Sequence, residues 1–532
     1  MSSTSLFSGP KSTARELVRV VFGASLGTAF EWYDFFVFAT LATTLGPLFF
    51  PQSLGETGIF LASLATYASG LVLRPFGSIM FGKIGDTVGR KSAFVSTMAL
   101  MGLSTFLVGL LPTYEQIGLW APCFLVLLRC LQGLALGGEY GGAAIYVAEH
   151  VPTESRGYVT GWIQICATLG FFLSLVVVSI CKFALSSEEF LVWGWRLPFL
   201  VSVVLCAVSY VIRSRLDESP IFLKMRATGS LSKAPLRDSF VLAENRKTII
   251  LSLFGSVAGV GIIWYTGQFY VLFFLTKTLK VDATTAHVIL ATALLLSLPA
   301  YILAGALSDR FGRKRVILIG FVLALCCYQS LFRVLTHYAN PRLETAIASA
   351  PIKLSSAECG YVFFAAPASE CSRMKDFLFS AGYPFSLVEN GPDFAVHVGT
   401  KEMRHPQLEE VREALEMAGY PRTADPQQIE RAMSIAVIFV MSLFTCLVYG
   451  PTAAYLVELF PPATRYSSLS ISYHLGTGYF GGGMLYVSTL VASQTGDIYA
   501  GLYYPLGIIF MSLVIGYFFL PETSGRVEFR ED

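Results

Sequence analysis

Twelve apolar stretches, each long enough to cross a hydrocarbon layer, limit what this chain can become. They run at about 17–45, 57–82, 92–112, 119–148, 156–181, 194–212, 248–276, 286–307, 316–336, 432–458, 466–492 and 499–520 of the 532 residues. A helix needs about 20 such residues to span a bilayer, so the expected fold is an all-α polytopic membrane protein with 12 transmembrane helices. Only 14% of residues are charged, against about 25% in a soluble domain. The net charge of +2 offers no global field for nucleic acid. The lipid bilayer is the expected surrounding, no nucleic-acid partner is expected, and the chain is read as a monomer.

The charges divide unevenly. From His337 to Glu430 there are 8 Lys or Arg and 13 Asp or Glu, and no apolar run able to span, so the rest of the chain carries +7. We expect a small acidic α+β insert at 337–431. The loops on one side of the twelve segments, among them the stretch 213–247, hold 22 basic residues, and those on the other side hold 4 outside the insert. The positive-inside rule then predicts a protein integral to the cytoplasmic (inner) membrane, with both termini in the cytoplasm and the insert on the external or periplasmic face. The first apolar run follows a basic flank but carries Glu31 and Asp34 and ends in no small-residue cleavage site, so it is expected to be retained as a span.

GKIGDTVGRK (82–91) and GALSDRFGRK (305–314) are one motif in corresponding loops. The chain therefore reads as two six-helix halves, 1–212 and 248–336 with 432–520, joined by a cytoplasmic linker at 213–247 and followed by a tail at 521–532. Parallel repetition of this kind is the architecture of the major facilitator superfamily, whose substrate site lies near the midplane. The motif's Lys83, Asp86, Arg90, Lys91, Asp309, Arg310, Arg313 and Lys314, together with Arg74, are expected to form a cytoplasmic gate, with Glu149, Glu154, Arg156, Glu458 and Arg465 as inner-surface partners.

Further strings sharpen the assignment: FEWYDFFVFA (30–39), LRPFGSIMFGKIGDTVGRK (73–91), RCLQGLALGGEYGGAAIYVAEHVPTESRG (129–157), RLDESPIF (215–222), YGPTAAYLVELFPPATRYSSLSISYHLG (449–476) and PETSGR (521–526). In these the chain resembles the metabolite:H+ symporter family, over essentially its whole length except 337–430. The resemblance implies a secondary transporter that imports a small organic acid or zwitterion, such as α-ketoglutarate, citrate, shikimate, a dicarboxylate, proline or betaine. A proton gradient drives it and no cofactor is needed. The insert and His474, where an Asn is more familiar, depart from the family pattern and leave the substrate open.

Four ionisable residues fall inside spans: Glu31, Asp34, Arg129 and Glu139. Burying a charge at membrane depth is costly, so each is a candidate for proton coupling. The resemblance implies an Asp34–Arg129 pair between spans one and four; the alternative is a permanent structural pair. Glu139, flanked by glycines, serves equally as a brace at a helix crossing. Arg129 and Gln132 are expected to meet the substrate, its guanidinium gripping a carboxylate bidentately. Tyr33, Trp264, Tyr265, Gln268, Tyr270, Tyr449, Tyr455, Tyr473 and His474 supply rings and amides on spans one, seven, ten and eleven, against the reading that they simply pack.

The insert is expected to run βαββα: a strand at 360–366, a helix from Ser369, strands at 385–390 and 394–399, and an amphipathic helix from His405, with Gly-Tyr ending both helices. Cys359 and Cys371 form a disulfide if their geometry allows. No HExxH, paired CxxC, nucleotide fingerprint or GxSxG elbow appears, so no enzymatic chemistry and no metal site are expected. Two rivals share part of this evidence: a uniporter or exporter of the same fold, and a transporter-like sensor with an external ligand-binding domain.

Overall fold

The computed structural model describes residues 14–87, 90–138, 140–149, 151, 153–214, 243–356, 359, 369–388, 394–460 and 465–524. Long helices dominate. Among the described residues nine helical runs are long and apolar enough to cross a membrane. The other three expected segments fall on α1 (Ala14–Thr40), on α4 (Arg90–Leu110) and on the run from α17 (Arg465–Leu475) to α18 (Gly483–Thr495).

Several spans are interrupted where the sequence shows one apolar block. The second is α2 (Gly55–Val72) and α3 (Arg74–Thr87), broken at Leu73. The fourth is α5 (Trp120–Gly137) and α6 (Tyr140–Glu149). The fifth and sixth are α7 (Arg156–Ala184) and α8 (Ser202–Ser214). The seventh, α9 (Asn245–Thr278), contains three π-helical turns at Leu253–Val257, Thr266–Tyr270 and Phe274–Thr278. Then come α10 (Ala283–Phe311) and α11 (Arg313–Ala339), hinged at Gly312 with φ 105°, a backbone state open to glycine.

Glycines set how closely the helices approach. In the N-terminal half, a Cβ on Gly133 would lie 1.7 Å from the carbonyl oxygen of Gly70, one on Gly77 2.0 Å from that of Leu134, and one on Gly137 2.0 Å from that of Arg74. α5 therefore lies backbone to backbone on α2 and α3, the small-residue packing that membrane helices use in place of a hydrophobic drive. Between the halves, Gly157 on α7 and Gly305 on α10 face each other in the same way: a Cβ on either would come within 2.5 and 2.2 Å of the other's carbonyl oxygen.

The insert leaves after α11. It opens with α12 (Pro341–Ser349), N-capped by the Asn340 side chain on Leu343 N at 3.1 Å. A four-stranded sheet follows in the order β2-β1-β3-β4, made of β1 (Ile352–Ser355), β2 (Phe385–Val388), β3 (Ala395–Val398) and β4 (Lys401–Arg404). β1 pairs in parallel with β2, and the other pairings are antiparallel. α13 (Glu370–Ser380) and α14 (Leu408–Met417) complete the unit. α15 (Arg431–Tyr449), α16 (Thr452–Leu459), α17, α18 and α19 (Tyr503–Phe519) return the chain to the bundle.

The strand expected at 360–366 lies outside the described residues. β1, upstream of it, and β4 and α12 were not expected. β4, KEMR, buries only Met403, so it lacks the alternation that marks a strand. The two Gly-Tyr stops do end their helices: Gly382 and Gly419 have φ of 75° and 85°. Tyr383 and Tyr420 pack ring against ring at 5.1 Å. Cys359 and Cys371 are joined by a disulfide.

Candidate functional site

The crossing of α5 over α3 decides where Arg74 goes. With its carbonyl pressed on Gly137, Arg74 at the start of α3 turns its side chain inward, where it is 1% exposed. It lines a narrow space with Trp32 and Ala167 from the N-terminal half and Gly261, Trp264, Tyr265, Tyr449, Tyr473 and Thr477 from the C-terminal half. The guanidinium lies 5.2 Å from the centroid of the Trp32 ring and 4.8 Å from that of Phe35. Its Nε and Nη2 have no hydrogen-bond partner, nor has Trp264 Nε1. Tyr449 and Tyr473 share a hydroxyl–hydroxyl bond, and Trp32, Phe36 and Trp264 stack successively at 5.0 and 5.1 Å. Free guanidinium donors suit a carboxylate, and clustered aromatic faces suit an organic cation.

This placement corrects the sequence reading, which set Arg74 in a gate at the membrane surface. Tyr265, Tyr449 and Tyr473 do line the space. Tyr33 does not: its hydroxyl donates to the carbonyl of Pro198 at 2.6 Å. Gln268 donates to Thr168 Oγ1 at 3.1 Å and to the Tyr301 hydroxyl at 3.2 Å, bridging the two halves beside the space. His474 is 1% exposed and has no hydrogen bond at either ring nitrogen, yet it is not on the wall. Arg74, Trp32, Ala167, Gly261 and Thr477 are wall residues that sequence reasoning did not place here. The one available signal was a cation, Arg74, set between apolar runs.

Arg129 and Asp34 do not pair in this structure. Arg129 is fully buried and donates to the carbonyl of Phe35 at 3.3 Å and to Gln132 Oε1, while Gln132 donates to Thr105 at 2.8 Å. Its guanidinium lies 4.4, 4.7 and 5.1 Å from the ring centroids of Phe35, Phe38 and Tyr67. Asp34 precedes Phe35 and so points about 100° away around α1. It faces α4 near Gly102, and its Oδ1 has no partner. Glu31, 3% exposed, lies one turn earlier on the same helix. Glu139 lies outside the described residues.

The second copy of the repeated motif is bonded across the halves. Asp309 accepts the backbone N–H groups of Gly157 and Tyr158 at 2.9 and 2.8 Å, at the positive N-terminal end of α7. Arg313 pairs with Asp309 and, at 3.3 Å, with Glu458, and Glu458 also takes Arg156 at 3.1 Å. Glu522 caps the start of α11 through Arg313 N at 2.7 Å, and Lys314 donates to the carbonyls of Tyr517 and Leu520 at 2.7 Å. Arg310 is exposed, as is Lys83 in the first copy. The side chains of Asp86, Arg90 and Lys91 lie outside the described residues.

The family model for sugar (and other) transporters matches residues 20–367. The chain belongs to that family. Its overall fold is that of the major facilitator superfamily: it covers 96% of this chain and 97% of the proton:xylose symporter XylE at a TM-score of 0.60 and 16% identity. A partially occluded inward-open form of the xylose transporter XylE from E. coli gives 0.61, covering 96% and 99%. Among curated relatives, the glycine betaine/proline/ectoine/pipecolic acid transporter OusA of Dickeya dadantii is 34% identical over 313 residues, 58% of this chain and 62% of that protein. The proline/betaine transporters of Salmonella typhimurium and of Escherichia coli K12 are 34% and 33% identical, over 62% and 64% of their lengths. The chain thus spans less than two thirds of the length of these relatives. The matched family is one of transporters, and nine helical runs among the described residues are long and apolar enough to cross a membrane.

Proposed function

We propose that this protein is a proton-coupled symporter that imports a small zwitterion by alternating access, with Arg74 and the surrounding aromatic rings as its substrate site. The observation that carries this reading is the buried guanidinium with free donors facing a box of Trp and Tyr rings from the other half. A betaine or an imino acid offers both complements, a carboxylate for Arg74 and a cationic nitrogen for the rings. The relatives named for proline and betaine support the same class.

In this reading Asp34 carries the coupled proton, with Glu31 and Glu139 as further groups on its route. Arg129 with Gln132 holds α1 against α5 as the halves rock. Tyr265, Tyr449 and Tyr473 touch the substrate, and Gln268, Tyr33 and His474 hold the wall from behind. The Asp309, Arg313, Glu458 and Arg156 cluster is the gate at the cytoplasmic end. The six-helix halves are 1–212 and 248–336 with 432–520, both termini are cytoplasmic, and the insert at 337–431 stands on the external face of the inner membrane.

The test is uptake into proteoliposomes under an imposed inward proton gradient, with labelled proline, glycine betaine, shikimate and a dicarboxylate. Accumulation of proline or glycine betaine that collapses when the gradient is dissipated is the expected result. Failure of all four to accumulate would sink the proposal.

A further inference from the structure

Among the described residues the insert makes more hydrogen bonds to the C-terminal half of the bundle than to the N-terminal half. To the C-terminal half it makes main-chain bonds from Phe385 N to Gly496 O at 3.0 Å and from Ala424 N to Lys280 O at 3.0 Å. Lys280 Nζ donates to the carbonyl of Ser380, and Lys375 Nζ donates to Gln494 Oε1 at 3.0 Å. The Gly382 turn lies directly on the end of α9, where a Cβ would come within 2.3 Å of the carbonyl of Thr278. Towards the N-terminal half the bonds, among the described residues, are those of Asp376 at the start of α2, its Oδ1 accepting Thr57 N at 3.1 Å.

That bond sits at a well-chosen place. Thr57 lies in the first turn of α2, whose N–H groups have no partner within the helix and carry the positive end of its dipole. Asp376 follows Lys375 in α13, so two consecutive residues hold opposite halves of the bundle. Beneath them the halves meet directly, Phe60 of α2 against Phe273 of α9 edge to face at 5.3 Å, with Lys277 Nζ 5.1 Å from the Phe60 centroid. A shallow cleft opens here between Phe60, Phe273 and Tyr383 of the insert.

We infer that the insert is a strap across the entrance between the two halves, anchored on the C-terminal half and latched to the N-terminal half by Asp376 on the start of α2. The inference rests on the alternating-access reading. Each time this end opens, α2 moves away from α9, and the Asp376–Thr57 bond must break while the bonds to Lys280, Gln494 and Gly496 remain. The strap then rides outward with the C-terminal half and uncovers the Phe60–Phe273 contact.

Two readouts test this, one of them independent of transport. In the first, Thr57→Cys is combined with Asp376→Cys and oxidised, and proline and glycine betaine uptake is followed in proteoliposomes. Oxidation is expected to abolish uptake and reductant to restore it, with wild type treated identically to account for Cys359–Cys371. In the second, a cysteine at Phe60 is labelled with a maleimide with and without Asp376→Ala. Faster labelling in the Asp376→Ala background is expected, because the latch no longer holds the entrance shut. Full uptake by the cross-linked protein, or unchanged labelling, overturns the strap. If the reduced double variant and wild type both accumulate neither solute, the transport reading fails, and the labelling still decides the strap.

Discussion

Arg74 and Arg129 share one aromatic ring: their guanidiniums lie 4.8 and 4.4 Å from the centroid of Phe35. Both are buried, and among the described residues neither has a carboxylate partner. Two cations are thus held in the centre of the N-terminal half by π faces and a few neutral acceptors. In the proposed reading a substrate carboxylate at Arg74 offsets one of these two charges. Arg74→Gln is expected to raise the half-saturation concentration for proline about 10- to 150-fold, the worth of about 1.5–3 kcal/mol in charge-assisted hydrogen bonds. Arg129, already bonded to Phe35 and Gln132, is expected to show its loss in yield and melting temperature first.

Asp34 is the buried carboxylate assigned to the coupled proton. Asp34→Asn keeps its size and one acceptor but removes ionisation. The expected outcome is retained exchange of labelled for unlabelled substrate, with loss of accumulation driven by the proton gradient. Loss of both activities alike would assign Asp34 to structure.

Glu458 accepts from Arg313, 1% exposed, and from Arg156, and it stands between the halves. Removing one member of a buried charge cluster costs about 3–5 kcal/mol. Glu458→Gln is expected to lower the melting temperature in detergent and to increase thiol labelling of cysteines placed beside Gly157. Arg156→Gln, whose side chain is 13% exposed, is expected to do the same to a smaller degree.

Gly133 has no room for a methyl group, whereas a Cβ at Gly483 meets nothing within 4 Å. Gly133→Ala is expected to destabilise by about 1–3 kcal/mol, as overpacking does, and to disturb uptake because the same crossing positions Arg74. Gly483→Ala is expected to be neutral or slightly stabilising, since alanine is the better helix former. Paired thermal melts check both.

Lys280 lies in the loop beyond α9, and burial, reinforced by Lys277 and opposed by Glu56, lowers its ammonium pKa from 10.5 to about 8. The charged form is the penalised one in the folded state. The native state is therefore expected to gain stability as pH rises from about 8 towards 10.5, where the unfolded lysine would still hold its proton. Amine acylation followed by peptide mapping is expected to show Lys280 reacting with a midpoint near pH 8, well before ordinary lysines. A midpoint above 10 would contradict this.

Which of these features the sequence disclosed follows from what each rests on. The spans and the repeated motif were legible because membrane thickness and loop chemistry are one-dimensional constraints. The rotation of each helix was not. Asp34 and Phe35 are neighbours in sequence, yet one faces α4 and the other meets Arg129, so the expected pair does not form. Arg74 was misplaced for a related reason: the contact of its carbonyl with Gly137 turns it inward, and that contact joins segments far apart in the chain. β4 escaped because a four-residue edge strand with one buried side chain carries no periodic signal.

Glu430 N donates to the carbonyl of Tyr338 at 2.9 Å, so the chain departs from the bundle and returns to it at a single point. Whatever lies between those residues hangs as a closed loop on a bundle whose helix-to-helix path is already complete. No span has to be rerouted to accommodate residues 340–429, which add to the bundle without lying on its helix-to-helix path.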